Sequence, residues 1–139
     1  MRRFVDTNVL LRALVQDDPQ RSDASIALIR RINRGEELAV TNHAVLTEVV
    51  FVLLKSYRTS KADTRQLVTS ILNMKGLDVP HRDLFQEALD VFERLNISFG
   101  DAYVAVLMKD QGIDEIYSWD TEFDRVPWLT RITPPSPDG

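Results

Sequence analysis

Short apolar segments with strand character alternate along this chain with longer segments of helical periodicity, and few folds satisfy that pattern. The strand-like segments are Arg3–Asp6, Leu38–Thr41, Leu77–Val79 and Glu115–Trp119, with Thr130–Thr133 as a fifth. Such alternation predicts an α/β protein with a mainly parallel sheet of four or five strands. At 139 residues the chain has about the length of one domain, for which ~150 residues is typical. The expected division is one folded domain over residues 1–133 and a Pro-rich tail over 134–139, where Pro134, Pro135 and Pro137 prevent burial of apolar surface.

Local signals bound the helices. Asp17-Asp18-Pro19 offers a capping carboxylate and a first-turn proline, and Gly35 supplies a left-handed stop, predicting a helix over 19–33. Asn42 caps the apolar stretch Ala44–Leu54, and Ser60-Lys61-Ala62-Asp63 reads as a capping box for a helix ending near Gly76. Two more helices are expected over 82–96 and 99–111, the second opened by Ser98-Phe99-Gly100-Asp101 and closed by Gly112.

Composition removes several classes of chemistry. There is no cysteine, and His43 and His81 are the only histidines, so a disulfide framework, a thiolate zinc site and a cysteine nucleophile are all excluded. No apolar run approaches the ~20 residues of a membrane span. Asp6 and Asn8 interrupt the first residues before a leader-like apolar stretch can form, so a cytoplasmic location is expected. The net charge of −4 is unevenly spread: residues 1–75 carry 12 basic and 8 acidic side chains, whereas residues 76–139 carry 5 and 13. Thirteen of the 17 basic residues are arginine, suited to bidentate contact with phosphate or carboxylate, although solvated helix faces explain the same clusters.

Four acids stand where a merely structural carboxylate is awkward. Asp6 leaves the first strand at an edge where open parallel sheets bind ligands, though it also suits a helix cap. Glu48 is the sole charge in the eleven residues Ala44–Leu54, a costly position unless it is paired, hydrated or metal-bound, or unless it shares a solvent stripe with Thr47 and Lys55. Asp101 follows Ser98 by three residues and could complete a capping box, yet it continues the stripe of Ala105 and Met108. Asp120 ends the fourth strand, with Asp124 one helical turn later, and a turn aspartate is the plain alternative. Brought to one sheet edge, four carboxylates would repel and raise one another's pKa unless cations lay among them. Oxygen-only ligands imply a hard ion, Mg²⁺ or Mn²⁺, and one or two such ions serve phosphate chemistry without a histidine base.

The motifs Phe4-Val5-Asp6-Thr7-Asn8-Val9-Leu10-Leu11, Glu48 in its apolar helix, Ser98-Phe99-Gly100-Asp101-Ala102 and Ser118-Trp119-Asp120-Thr121-Glu122-Phe123-Asp124 together resemble those of PIN-domain nucleases, and more narrowly VapC-type toxins of toxin–antitoxin systems. The resemblance spans nearly the whole chain. It implies a three-layer α/β/α sandwich, hydrolysis of RNA, and Asp6, Glu48, Asp101 and Asp120 as the acids that hold Mg²⁺ or Mn²⁺. Asn8 and Ser118 then support the acids by hydrogen bonds, Ser118 replacing the family's common threonine, and Asp124 is an additional acid. The resemblance also implies a homodimer and a small antitoxin partner. Lys55, Arg58, Lys61 and Arg65 are candidates for gripping the RNA backbone. A PIN-like nuclease acting on DNA or in RNA maturation, and a silent binding domain on the same scaffold, are the alternatives. A phosphohydrolase working through an aspartyl-phosphate is discouraged, because the position two residues after Asp6 is Asn8 rather than a second acid.

Overall fold

Strands of two or three residues cannot hold together on their own side chains; helices on either side of them in the sequence must carry the packing. The computed structural model describes residues 1–15 and 19–138. It divides into two compact units, Met1–Arg82 and Asp83–Gly139.

The N-terminal unit holds strands β1 (Arg3–Phe4), β2 (Ala39–Val40) and β3 (Leu77–Asp78), with helices α1 (Thr7–Val15), α2 (Pro19–Arg34), α3 (His43–Lys55) and α4 (Lys61–Leu72). The strands pair in the order β1-β2-β3, all parallel, with Arg3 opposite Ala39 and Ala39 opposite Leu77. Two helices cross over between each successive pair, as parallel pairing requires. The apolar face of α3 is Leu46, Val49, Val50 and Leu53, spaced at i, i+3, i+4 and i+7, and all four are buried. Val68, Ile71 and Leu72 of α4 and Ile32 of α2 are buried with them in the core of this unit. Asn42 and Ser60 cap α3 and α4 as their types predict, their side chains accepting the N–H of Val45 at 3.0 Å and of Asp63 at 3.0 Å. Gly35, at φ +78°, stops α2 in the left-handed conformation expected of it. The proposed cap at Asp17-Asp18 lies outside the described residues. Gly76 meets a different need. Its N–H donates to the Ile32 carbonyl, and a Cβ there would lie 2.3 Å from the carbonyl oxygen of Glu37.

The C-terminal unit holds α5 (Arg82–Arg94, from its second residue on), α6 (Phe99–Asp110), β4 (Glu115–Tyr117) and β5 (Thr130–Ile132), with a 3₁₀ turn at Thr121–Arg125. β4 and β5 pair in parallel, Glu115 opposite Thr130. Its core is aromatic: Phe85, Phe92 and Phe99 are fully buried, and the ring centroids of Phe85 and Phe92 lie 5.1 and 5.8 Å from that of Phe99. The Trp128 indole donates to the Ala105 carbonyl at 2.9 Å, seating the residues before β5 against α6. The five expected strands are thus present and parallel, in ladders of three and two. Each is shorter than its apolar segment, β1 ending at Phe4 and β4 at Tyr117. Among the described residues no helix is long and apolar enough to cross a membrane.

Candidate active site

Two of the acids singled out by sequence belong to the N-terminal unit. Asp6 stands two residues beyond β1 and is exposed, and its carbonyl accepts the first helical N–H of α1, from Leu10. Glu48 projects from α3 away from the buried stripe. Of the alternatives open to this charge the structure shows the solvent-facing stripe, for Glu48 and Lys55 are both exposed. Glu48 is nevertheless held: the hydroxyl of Thr7, a buried residue adjoining Asp6, donates to Glu48 Oε2 at 2.9 Å. One hydrogen bond therefore ties the β1 exit to the middle of α3. Asn8 is exposed in the first turn of α1.

The C-terminal unit supplies the other two acids and a third. Asp101 stands in the first turn of α6, whose cap is Ser98; the Ser98 hydroxyl accepts the Asp101 N–H at 3.2 Å. Asp120 starts the 3₁₀ turn, and its Oδ1 accepts the Glu122 N–H at 2.9 Å. One carboxylate oxygen from each of Asp101, Asp120 and Glu122 lies within 4.8 Å of the others. The Ser118 hydroxyl accepts the Asp120 N–H at 3.0 Å. Asp124 has a different fate. Both its oxygens are taken by Arg131, at 3.0 and 3.2 Å, and a further Arg131 nitrogen donates to the Ser118 carbonyl at 3.2 Å.

Burial pushes the Asp101 carboxyl up to about 7, with its hydrogen bonds to Asp120 and Glu122 and their negative charges adding to the effect. Asp120 moves the other way, lowered by the Glu122 N–H, by the bond to Asp101 and by the nearby Arg131 charge. Near neutral pH the pair thus shares a proton that a cation can displace. Oδ2 of Asp101 is buried and receives no hydrogen bond from the protein. A buried acceptor without a donor, beside two more carboxylates, suits a hard divalent cation, which takes oxygen ligands alone.

The basic candidates cluster where α3 gives way to α4. Lys55 and Arg58 are exposed, Arg58 in the left-handed conformation at φ +53°, while Lys61 and Arg65 are half-buried and engaged with partners.

Sequence reading missed Thr7 as the partner of Glu48, Glu122 as a member of the acidic group, and Arg131 as the counter-ion of Asp124. Thr7 and Glu122 stand inside motifs that were recognised, but their partners lie 41 and 24 residues away. A period or a cap signal carries no record of such pairings.

A family model of the PIN domain matches residues 3–129. A VapC ribonuclease of Aquifex aeolicus is 25% identical over 128 residues, covering 92% of this chain and 94% of its own. Among solved structures, Mycobacterium tuberculosis VapC20, a toxin that cleaves the sarcin–ricin loop, aligns over 91% of this chain and 96% of its own, at 20% identity and a TM-score of 0.40. VapBC2 of Rickettsia felis, solved with a DNA fragment from its promoter, aligns over 96% and 98% at 15% identity and a TM-score of 0.37.

Proposed function

The chain belongs to the PIN-domain family, and from that premise we propose that it is a metal-dependent endoribonuclease of the VapC type, the toxin of a toxin–antitoxin pair. The observation that carries this reading is the buried Oδ2 of Asp101, which receives no hydrogen bond and stands in a group of three carboxylates. In this reading Asp6, Asp101 and Asp120 hold one or two Mg²⁺ or Mn²⁺ ions, with Glu48 ligating directly or through water. The bound ion supplies an activated water and offsets charge on the phosphate as the phosphodiester is hydrolysed.

The protein's own groups do the rest. Thr7 fixes the Glu48 carboxylate, so that it need not reorient when substrate arrives. Ser118 holds the backbone of Asp120, and in this reading Asn8, two residues after Asp6, serves as its supporting polar neighbour. Lys55, Arg58, Lys61 and Arg65 grip the RNA backbone, which offsets the repulsion expected from a net charge of −4. A small antitoxin silences the enzyme by presenting a basic side chain to the acids, which a group containing the raised Asp101 would welcome. The exposed Phe51 on α3 belongs to the surface buried in a homodimer. The protein works in the cytoplasm, where its RNA is.

The test is cleavage of total cellular RNA by purified, antitoxin-free protein with Mn²⁺, with EDTA and a folded Asp101→Asn variant as controls. Discrete fragments absent from both controls are expected. Cleavage of DNA alone, or of neither nucleic acid by a folded protein, overturns the proposal.

A further inference from the structure

Ser98 and Asp101 have the spacing of a capping box, in which the serine hydroxyl takes the N–H of the third helical residue and that residue's carboxylate returns to the serine N–H. Only the first half of that exchange is present. The Ser98 hydroxyl accepts the Asp101 N–H at 3.2 Å, but the Ser98 N–H donates to Glu122 Oε1 at 3.2 Å, from 24 residues further along the chain. Asp101 is thereby left with a buried Oδ2 that receives nothing. Glu122 is tied at its other end too, its N–H donating to Asp120 Oδ1 at 2.9 Å. The bonds run without a break from the Asp101 backbone through Ser98 and Glu122 to the Asp120 carboxylate. The next residue, Phe123, is buried and anchors the turn that presents Glu122. The positive end of α6 favours the glutamate charge there.

We propose that Glu122 is a positioning residue: by occupying the Ser98 N–H it takes the place of Asp101 as the return partner of the helix cap, and so keeps the Asp101 carboxylate available to a divalent cation. This rests on the reading of Asp101 as a metal ligand and goes beyond it, since Glu122 acts through hydrogen bonding. Two acceptors compete for one N–H. If the distant one is removed, the near one rotates into the vacancy and is withdrawn from the metal.

Glu122→Ala and Glu122→Gln in the full chain separate this from other roles, because glutamine keeps a carbonyl acceptor for the Ser98 N–H and loses only the charge. Mn²⁺ affinity, followed by water-proton relaxation, should fall about tenfold in Glu122→Ala, as is usual when a partner orienting a ligand is lost. It should fall much less in Glu122→Gln, which keeps the acceptor and loses only the charge. In metal-free protein the Ser98 amide should remain protected from hydrogen exchange in Glu122→Ala, because Asp101 replaces the glutamate, and should lose protection when Asp101→Ala, which leaves no side-chain acceptor, is added. Parental Mn²⁺ affinity in Glu122→Ala overturns the proposal, as does an unprotected Ser98 amide in that variant. An equal loss in Glu122→Gln overturns it as well, and makes Glu122 a ligand in its own right. Failure of the underlying reading looks different: Asp101→Asn alone, with Glu122 intact, would then bind Mn²⁺ as the parent does.

Discussion

The two units handle their acids in opposite ways. Residues 1–82 carry 13 basic and 9 acidic side chains, a net +4, and residues 83–139 carry 4 and 12, a net −8. In the first unit Glu48 is exposed and steadied by one neutral hydroxyl. In the second, three carboxylates stand within 4.8 Å of one another, restrained by backbone N–H groups and by a helix start. A charge is cheap to place where water still reaches it, and it then needs only to be aimed. Where charges crowd and are partly buried, a proton or a cation becomes part of the structure. The crowded side should therefore bear the larger share of metal affinity.

That difference predicts an order of sensitivities. Asp101→Asn should lower metal-dependent RNA cleavage at least about a hundredfold, since it removes both a ligand charge and the group whose oxygen is least satisfied. Glu48→Gln should cost about tenfold, in the range seen when a ligand or its support is weakened without loss of the ion. Thr7→Val should follow Glu48→Gln in direction with a smaller effect, and Thr7→Ser should restore cleavage because the hydroxyl returns. Initial rates at saturating Mn²⁺ check all four. If Glu48→Gln proves as damaging as Asp101→Asn, the two units contribute equally and the contrast drawn from their electrostatics is wrong.

A gentler test uses pH. An acid whose folded pKa is raised from 3.8 to about 7 holds its proton more tightly folded than unfolded. Its contribution to stability is present below the unfolded pKa and is lost as pH rises through the folded value. Metal-free protein should thus lose thermal stability between about pH 4 and pH 7, and Asp101→Asn should flatten that window. Asp120, with a lowered pKa, acts in the opposite sense and below this window, its contribution disappearing only as the solution becomes strongly acid. Mn²⁺ competes with the proton on Asp101, so its affinity should climb across the same range. A melting temperature independent of pH from 4 to 7 would mean that Asp101 titrates in the ordinary range.

Much of this was legible in the residues themselves. Caps at Asn42, Ser60 and Ser98, the stop at Gly35 and the i, i+3, i+4, i+7 stripe of α3 are local, and each acts on backbone within a few residues. Strand ends are less legible: Val5 and Asp6 continue the apolar run of β1, and Ser118 and Trp119 that of β4, yet none of the four lies in a strand. For Glu48 the sequence left two readings open, a costly buried charge and a solvent stripe shared with Thr47 and Lys55, and the buried stripe of α3 leaves Glu48 and Lys55 to one side, exposed. Ser98 and Asp101 presented a complete capping box on paper, and only the fold reveals that Glu122 has taken half of it. Local rules state what a donor accepts, and distant residues decide which acceptor arrives.

The smallest expected effect concerns the boundary of the acidic group. Asp120 and Asp124 are four residues apart in one turn, yet the first belongs to the carboxylate cluster and the second is neutralised by the fork of Arg131. The Asp124 side chain is 53% exposed, and an ion pair so open to water contributes about 0–1 kcal/mol. Arg131, only 17% exposed, keeps its bond to the Ser118 carbonyl whether or not Asp124 is charged. Asp124→Asn should accordingly leave cleavage near the parental rate and shift stability by no more than about 1 kcal/mol. Chemical denaturation and the same cleavage assay measure both quantities. A loss comparable to that of Asp101→Asn would place Asp124 among the acids that hold the metal, and Arg131 would then be a gate on that ligand rather than a brace for the strand exit.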